Sequence, residues 1–130
     1  MNNNELQRVT FEQAKLLKEA GFDWETGHHY SNDKDYYGIM SGWIELSNHN
    51  QFRSRFSAPT VALALKWFRD VKYKNTSCVI FHRKTCKYKF ELYNGTDQVE
   101  SIAAFNSYEK AESALLDELL TLIEKDNEND

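Results

Sequence analysis

The sequence predicts an α+β protein in which helices cover one face of an antiparallel sheet of three to five strands. Helix-start chemistry recurs at three places, residues 10–13, 57–60 and 107–110. Two runs that alternate apolar and polar residues, 76–83 and 86–93, lie between the second and third of these starts. An Asn-Gly pair follows the second run, as is typical of a tight hairpin turn. We therefore expect two or three helices and the element order α-β-β-α-β-β-β-α.

The first helix is predicted over residues 11–20. Thr10 can cap its free amides, and Gln13 can reach back to the backbone of Thr10 to complete a capping box. Gly21 ends the helix, because glycine readily adopts the left-handed conformation found there. The expected buried face consists of Phe11, Ala14, Leu17 and Ala20.

The second and third helices are predicted from capping serines and from apolar spacing. Ser57 precedes the only proline, Pro59, which is tolerated in a first turn, and the helix continues to about Val71. Its expected inward residues are Val61, Ala64, Leu65, Phe68 and Val71. Ser107 begins the last helix, which runs to about Ile123 on the apolar positions Ala111, Leu115, Leu119 and Leu122.

A three-stranded antiparallel meander is predicted between these two helices, with its third strand over about residues 96–103. Two-residue turns at Lys84-Thr85 and Asn94-Gly95 would set the following opposed pairs: Phe81 with Tyr88, Val79 with Phe90, Phe90 with Val99, and Lys89 with Glu100. One face is then aromatic and aliphatic. The other face carries Cys78, Ile80, His82, Lys87, Lys89 and Glu91.

Two further strands are expected at residues 38–46 and 51–56, joined by residues 47–50. The segment before them is loop-like and rich in aromatic residues. Large aromatic side chains are common at protein interfaces, so we expect a protein contact surface at Tyr30, Tyr36 and Tyr37. Trp43 is expected to lie in the core.

Length and composition predict one cytoplasmic domain. A single α+β domain is expected over residues 9–124, between a flexible N-terminus at 1–8 and a flexible acidic C-terminus at 125–130. The longest apolar run, residues 61–65, is too short to cross a membrane, and no secretion signal is visible. Two cysteines do not make a disulfide framework, which favours a reducing cytoplasm.

Positive charge is concentrated in one part of the chain. Eight of the 16 Lys and Arg residues lie between Lys66 and Lys89 with one acid, although the net charge is -4. The basic residues at positions 69–74 lie at or just beyond a predicted helix C-terminus, where the helix dipole favours positive charge and no ligand is needed to explain them. The remaining candidates for a polyanion-binding site lie on one hairpin: Arg83, Lys84, Lys87 and Lys89.

Two clusters contain residue types that bind metals or catalyse reactions. Cys78, His82 and Cys86 have zinc-ligand chemistry, but the hairpin register directs Cys86 away from the other two. His28 and His29 lie near Asp33 and Asp35, where neighbouring side chains of a loop or strand are not held together. No phosphate loop or nucleophile motif accompanies either cluster. The sequence therefore predicts no catalytic residues, no metal site and no cofactor.

Residues 57–71 read SAPTVALALKWFRDV, after the opening VTFEQAKLLKE and before NSYEKAE. This combination resembles small uncharacterised proteins of gut bacteria and their phages or mobile elements, over about residues 9–123. The resemblance implies a context but no activity, cofactor or mechanism.

The order helix, three-strand meander, helix over residues 58–124 is also similar to double-stranded-RNA-binding domains. Such domains grip phosphates with a basic cluster at the start of the last helix. Here Lys110 lies between Glu109 and Glu112, and the hairpin lacks the Gly-Pro-x-His loop of that family. The likeness is one of topology alone.

Two function classes follow from the sequence. The first is a small non-enzymatic protein that binds another protein or itself. The second is a nucleic-acid or polyanion binder that uses the basic hairpin. No membrane or small-molecule ligand is indicated.

Overall fold

The computed structural model describes residues 6–31, 39–40, 46–72, 76–94, 97–100 and 103–128. It is an α+β structure that divides into two compact units, residues 1–64 and 65–130, where the sequence predicts one domain. Each unit contains one small antiparallel sheet, in place of the single sheet expected. The alternation of residues predicts individual strands, but it carries no information on which strands share a sheet.

Helix α1, Phe11–Ala20, begins and ends as predicted. The Thr10 hydroxyl accepts from the Gln13 amide at 3.1 Å, and the Thr10 amide donates to the Gln13 side chain at 2.9 Å, so the capping box is complete. Gly21 has φ 97°, and its amide and the next one donate back to carbonyls of the last helical turn. Ala14, Leu17 and Ala20 are buried, which confirms most of the predicted inner face.

The first sheet consists of β1, His29–Ser31, β2, Ile39–Met40, and β3, Arg55–Ser57, in the order β2-β1-β3. Strand β1 lies in a segment that the sequence indicated to be a loop, so the described residues contain one strand more than expected. The strand predicted over 38–46 is described only at β2, and residues 41–45 with Trp43 lie outside the described residues. The strand predicted over 51–56 begins only at β3.

Asparagine side chains explain why β3 begins late. His49–Gln51 form a 3-10 turn, and the Asn48 side chain caps it by accepting from the Asn50 amide at 3.1 Å. Asn50 donates to the Phe22 carbonyl at 2.9 Å and accepts from the Ser57 amide at 2.8 Å. The Asn48 and Asn50 side chains thus hold the backbone in a turn just before residues 52–54, which form no strand.

Lys18 holds the segment between this turn and β3. Its Nζ atom donates to the carbonyls of Phe52 and Arg55, each at 2.8 Å, and lies 3.4 Å from the carbonyl of Arg53. The same ammonium group lies 4.8 Å from the centre of the Phe56 ring, within the range of a cation–π contact. One charged group therefore joins α1 to three carbonyls within residues 52–55.

We expect Lys18→Met to lower the free energy of unfolding by about 1.5–3 kcal/mol, since hydrogen bonds that involve a charged donor are lost. Lys15→Met is the matched control. Lys15 is exposed on the same helix and makes one cation–π contact, at 5.6 Å from the Phe11 ring. Denaturant unfolding of both variants measures the difference, and equal losses would show that the three carbonyls do not stabilise the fold.

Parts of both predicted flexible ends lie within the described residues. The Val61 amide donates to the Gln7 carbonyl at 2.8 Å, and Arg8 forms an antiparallel bridge with Thr60, so residues 7 and 8 are bound to the fold. The last helix continues to Glu128. Residues 1–5 and 129–130 lie outside the described residues.

Helix α2, Val61–Trp67, is followed by a π-helical segment, Phe68–Lys72. Val61, Ala64, Leu65 and Phe68 are buried as predicted, whereas Val71 is 48 % exposed. The prediction for Val71 is wrong because the wider hydrogen-bond step of a π-helix displaces later residues from the face that a regular α-helix would continue.

The second sheet is the predicted meander. It consists of β4, Thr76–His82, β5, Lys87–Asn94, and β6, Asp97–Glu100, paired in that order. The pairs of β4 with β5 include Val79 with Phe90 and Phe81 with Tyr88, which confirms that register.

The register of β5 with β6 differs from the prediction by two residues. Leu92, and not Phe90, pairs with Val99, and Glu91, and not Lys89, lies opposite Glu100. The pairing continues through Asn94 and Asp97, so the predicted turn is displaced along the chain. Its glycine, Gly95, lies outside the described residues. A shift of two residues leaves each side chain on its predicted face.

Helix α3, Tyr108–Glu128, packs on β5 and β4. The Ser107 hydroxyl accepts from the Lys110 amide at 3.2 Å, which confirms the predicted cap. Phe90 and Leu92 of β5 are buried, and the buried residues of α3 are Ala111, Leu115, Leu116, Leu119, Leu120 and Ile123. This face of the meander therefore forms the core of residues 65–130.

Candidate interaction surface

The hairpin of β4 and β5 ends in a four-residue turn, residues 83–86, where the sequence predicted two residues. The Cys86 amide donates to the His82 carbonyl at 2.8 Å, and the Cys86 thiol lies 3.6 Å from the Arg83 carbonyl. Cys86 has φ 55°, in the left-handed region that favours glycine. Cys86 is exposed, so its interpretation as a small core residue is wrong.

We expect Cys86→Gly to be more stable than Cys86→Ala by about 0.5–1 kcal/mol. A residue with a side chain is destabilised by roughly 1–2 kcal/mol in this conformation, and glycine avoids this strain. The greater conformational freedom of glycine in the unfolded state offsets part of that advantage. Both variants remove the thiol, so their comparison isolates the backbone effect. Denaturant unfolding is the measurement, and equal stability would mean that the turn relaxes without strain.

Three aromatic side chains lie together beside this turn. The Tyr88 ring is 5.0 Å from the Phe81 ring and 6.1 Å from the Tyr108 ring, measured between centroids. Phe81 is 49 % exposed and Tyr108 is 45 % exposed, so apolar area faces solvent here. We call Phe81, Tyr88 and Tyr108 the hairpin-end surface.

The ends of the strands and of α3 produce this exposure. Phe81 and Tyr88 lie on the same face of the sheet as Phe90, but nearer to the turn. Because α3 begins at Tyr108, it covers Phe90, which is 6 % exposed, and leaves the end of the hairpin open. Backbone bonds of 2.8 and 2.9 Å between Tyr88 and Phe105 hold this end of β5 in place.

The predicted basic residues are only partly brought together. Arg83 and Lys84 are exposed in the turn, and Lys87 is exposed at the start of β5. Lys89 is half-buried on the outer face, opposite Ile80. Residues 77–90 contain no acid, so the turn adds positive charge next to the hairpin-end surface.

A tyrosine hydroxyl is protonated at neutral pH, and the surroundings of Tyr108 strengthen that preference. Burial raises the pKa of Tyr108, and the charge of Glu112 and a hydrogen bond to it add to this effect. Burial also raises the pKa of Glu112, followed by the charge of Glu109. The phenol is therefore a stable hydrogen-bond donor at neutral pH, and acidic residues border this side of the surface.

The predicted tyrosine interface does not match this surface. Tyr30 is 8 % exposed, and its hydroxyl donates to the Val9 carbonyl at 2.8 Å. Its ring meets the edge of the Phe11 ring at 5.5 Å, so Tyr30 is a core residue. Tyr36 and Tyr37 lie outside the described residues.

Alternation along the hairpin does place Phe81 opposite Tyr88. The sequence predicts that this face is aromatic and aliphatic, but it does not show where on the sheet α3 begins. The sequence analysis does not identify the hairpin-end surface for this reason, although it predicts that Phe81 pairs with Tyr88.

A second cluster lies in residues 1–64, where His29 stacks on His49 at 4.4 Å between ring centroids. Arg55 Nη1 lies 3.5 Å from His49 Nδ1, and His49 is 3 % exposed. Burial lowers the pKa of His29, and the nearby positive charges of His49, Arg55 and His28 lower it further. The predicted acidic neighbours, Asp33 and Asp35, lie outside the described residues.

Since the pKa of His29 is lower in the folded than in the unfolded state, the unfolded state gains the proton first. Stability is therefore present above the unfolded pKa, near 6.5, and is lost as pH falls through the folded pKa. We expect His29→Gln to lose less stability than the wild type between about pH 7 and pH 5.

His82→Gln is the matched control, because His82 is exposed on the hairpin. Chemical denaturation at a series of pH values gives the slope for each protein. If His29→Gln and the control keep the wild-type slope, the cluster does not link folding to protonation.

The zinc-type residues of the hairpin are not gathered into a site. Cys78 and His82 share the outer face of β4, whereas Cys86 lies in the turn. Both cysteines are free and exposed. Within the described residues, no group of three or more His, Cys, Asp or Glu side chains is arranged to hold a metal ion.

No family model, curated protein or solved structure matches the chain. Among the described helices, none has the length and apolar character needed to cross a membrane.

Proposed function

We propose that the chain is a small non-enzymatic binding protein whose hairpin-end surface takes an acidic, aromatic- or aliphatic-containing segment of a partner protein. The observation that carries this proposal is the exposure of Phe81 and Tyr108, 49 % and 45 %, next to an acid-free basic turn. Rigid aromatic side chains supply much of the binding energy at protein interfaces, and flanking charges speed association with an oppositely charged partner.

Packing supports a preformed surface. Tyr88 lies between the Phe81 and Tyr108 rings, and its backbone is bonded to Phe105 on the other side of β5. The three rings are therefore ordered before a partner arrives, which lowers the entropy cost of binding. The resemblance to phage and mobile-element proteins adds a context to this proposal and stays a prediction.

The second candidate is polyanion binding through Arg83, Lys84, Lys87 and Lys89. The acid-free run of residues 77–90 favours it, and exposed aromatic rings beside basic residues also suit single-stranded nucleic acids. Lys89 lies on the outer face of the sheet, and Glu91 lies on the same face two residues further along β5. The four basic residues therefore do not form a continuous patch. We therefore rank it second.

Selection from a random-peptide phage library tests the first candidate. We expect the full chain to enrich peptides in which Asp or Glu flanks an aromatic or aliphatic residue. Phe81→Ser with Tyr108→Ser should weaken a selected peptide at least about tenfold, since hot-spot truncations cost about 2 kcal/mol or more. Arg83→Glu with Lys84→Glu should weaken it mainly through slower association.

Leu6→Ser is the control, because Leu6 is 67 % exposed and lies outside this surface. It should leave binding unchanged, and circular dichroism should show that every variant is folded. Peptides that lack acids, or that bind the aromatic double variant as well as the wild type, would contradict the proposal.

A mobility-shift titration with duplex DNA, duplex RNA and single strands separates the second candidate. Phosphate contacts make affinity fall steeply as salt rises, and Lys87→Glu with Lys89→Glu should abolish such binding. Absence of any shift at low salt excludes nucleic acid as the partner of this hairpin.

A further inference from the structure

The two edges of the second sheet differ in how they are protected. Strand β6 forms one edge, and two of its four residues, Asp97 and Glu100, are acids. Strand β4 forms the other edge and has seven residues, TSCVIFH, with no Asp, Glu, Lys, Arg or Pro. Charged residues and proline are the usual means by which proteins prevent a sheet edge from pairing with another chain. Of the two described edge strands of this sheet, β4 is the one that lacks them.

One side of the β4 backbone pairs with no strand of the part of the chain that the structure describes. Within the described residues, β4 pairs with β5 alone, and its one further backbone bond is the turn bond from Cys86 to His82. Alternate residues of an edge strand direct their amide and carbonyl groups away from the sheet. Cys78 is exposed near the middle of β4, so the strand lies at the surface of its unit.

We propose that β4 pairs in antiparallel fashion with β4 of a second copy of this chain, with Val79 on the two-fold axis. The two three-stranded sheets would then form one six-stranded sheet, β6-β5-β4-β4-β5-β6. A two-fold interface uses the same edge of both copies, so each copy satisfies the open backbone groups of the other.

The residues of β4 are compatible with their own copies in this register. Cys78 lies opposite Ile80 of the second copy, Ser77 opposite Phe81, and Thr76 opposite His82, so no like charges face each other. An acidic or basic partner strand would find no complementary charge on β4. A second copy therefore fits this edge better than a charged segment does.

This inference does not rest on the proposed function, because it uses the backbone edge of β4. Phe81 of the hairpin-end surface would lie opposite Ser77 of the second copy, whereas Tyr88 and Tyr108 take no part in the pairing. Light scattering of the full chain at high micromolar concentration is the first test. We expect a mass of twice 15.3 kDa. A mass of 15.3 kDa across the accessible concentrations would overturn the proposal.

Cys78→Lys places a charge on the exposed edge and should raise the dissociation constant of the dimer about tenfold or more. Tyr93→Lys is the matched control. Tyr93 is 39 % exposed on the same outer face, but on the central strand β5. It should leave the mass unchanged, and a dimer that Cys78→Lys does not weaken would contradict pairing through β4.

Cross-linking tests the register without disturbing the edge. In a background of Cys78→Ser and Cys86→Ser, Val79→Cys should form a disulfide-linked dimer under a mild oxidant. Directly opposed residues of antiparallel strands have Cα atoms about 4.5–5.5 Å apart, within the range that a disulfide spans. Thr85→Cys in the same background places the thiol in the exposed turn and should remain largely uncoupled. Equal coupling of the two variants would reject the register.

Discussion

The alternation of side chains along β5 is the constraint on which residues 65–130 depend. As the middle strand, β5 is paired on both sides, so each of its residues is held on one face. Phe90 and Leu92 lie under α3, whereas Lys87 and Lys89 lie on the opposite face. A slip of one residue would expose two large apolar side chains, at roughly 1.5–3 kcal/mol each. The register of β5 thus places the apolar side chains in the core and the basic side chains on the outer face.

The hairpin-end surface follows from the same geometry. The hairpin extends past the start of α3, so the aromatic face continues beyond the part of the sheet that the helix covers. Phe90 is buried, but Phe81, on the same face and nearer to the turn, is half exposed. An exposed apolar surface therefore arises where the apolar face of the hairpin extends past the helix that covers it, beside a turn that is basic and free of acids.

Polar side chains organise residues 1–64. The strands of its sheet have two or three residues each, which is too few for ladder bonds alone to hold the backbone. Asn50 bonds backbone groups at Phe22 and Ser57, and Lys18 bonds carbonyls of the segment before β3. These contacts join positions far apart in the chain. Single-sequence patterns do not reveal them, which is why β1 was missed and β3 was expected to begin too early.

Local sequence is sufficient to predict the features that depend on neighbouring residues. The capping box of Thr10 and the glycine stop at Gly21 use groups within a few positions of each other, and the β4–β5 register follows from local alternation. Tertiary structure decided the features that depend on distant groups: the division into two sheets, the burial of Tyr30 and the exposure of Phe81. An alternating pattern states that a residue faces one side of a strand. Whether another element covers that side is set by packing between segments that the local pattern does not relate.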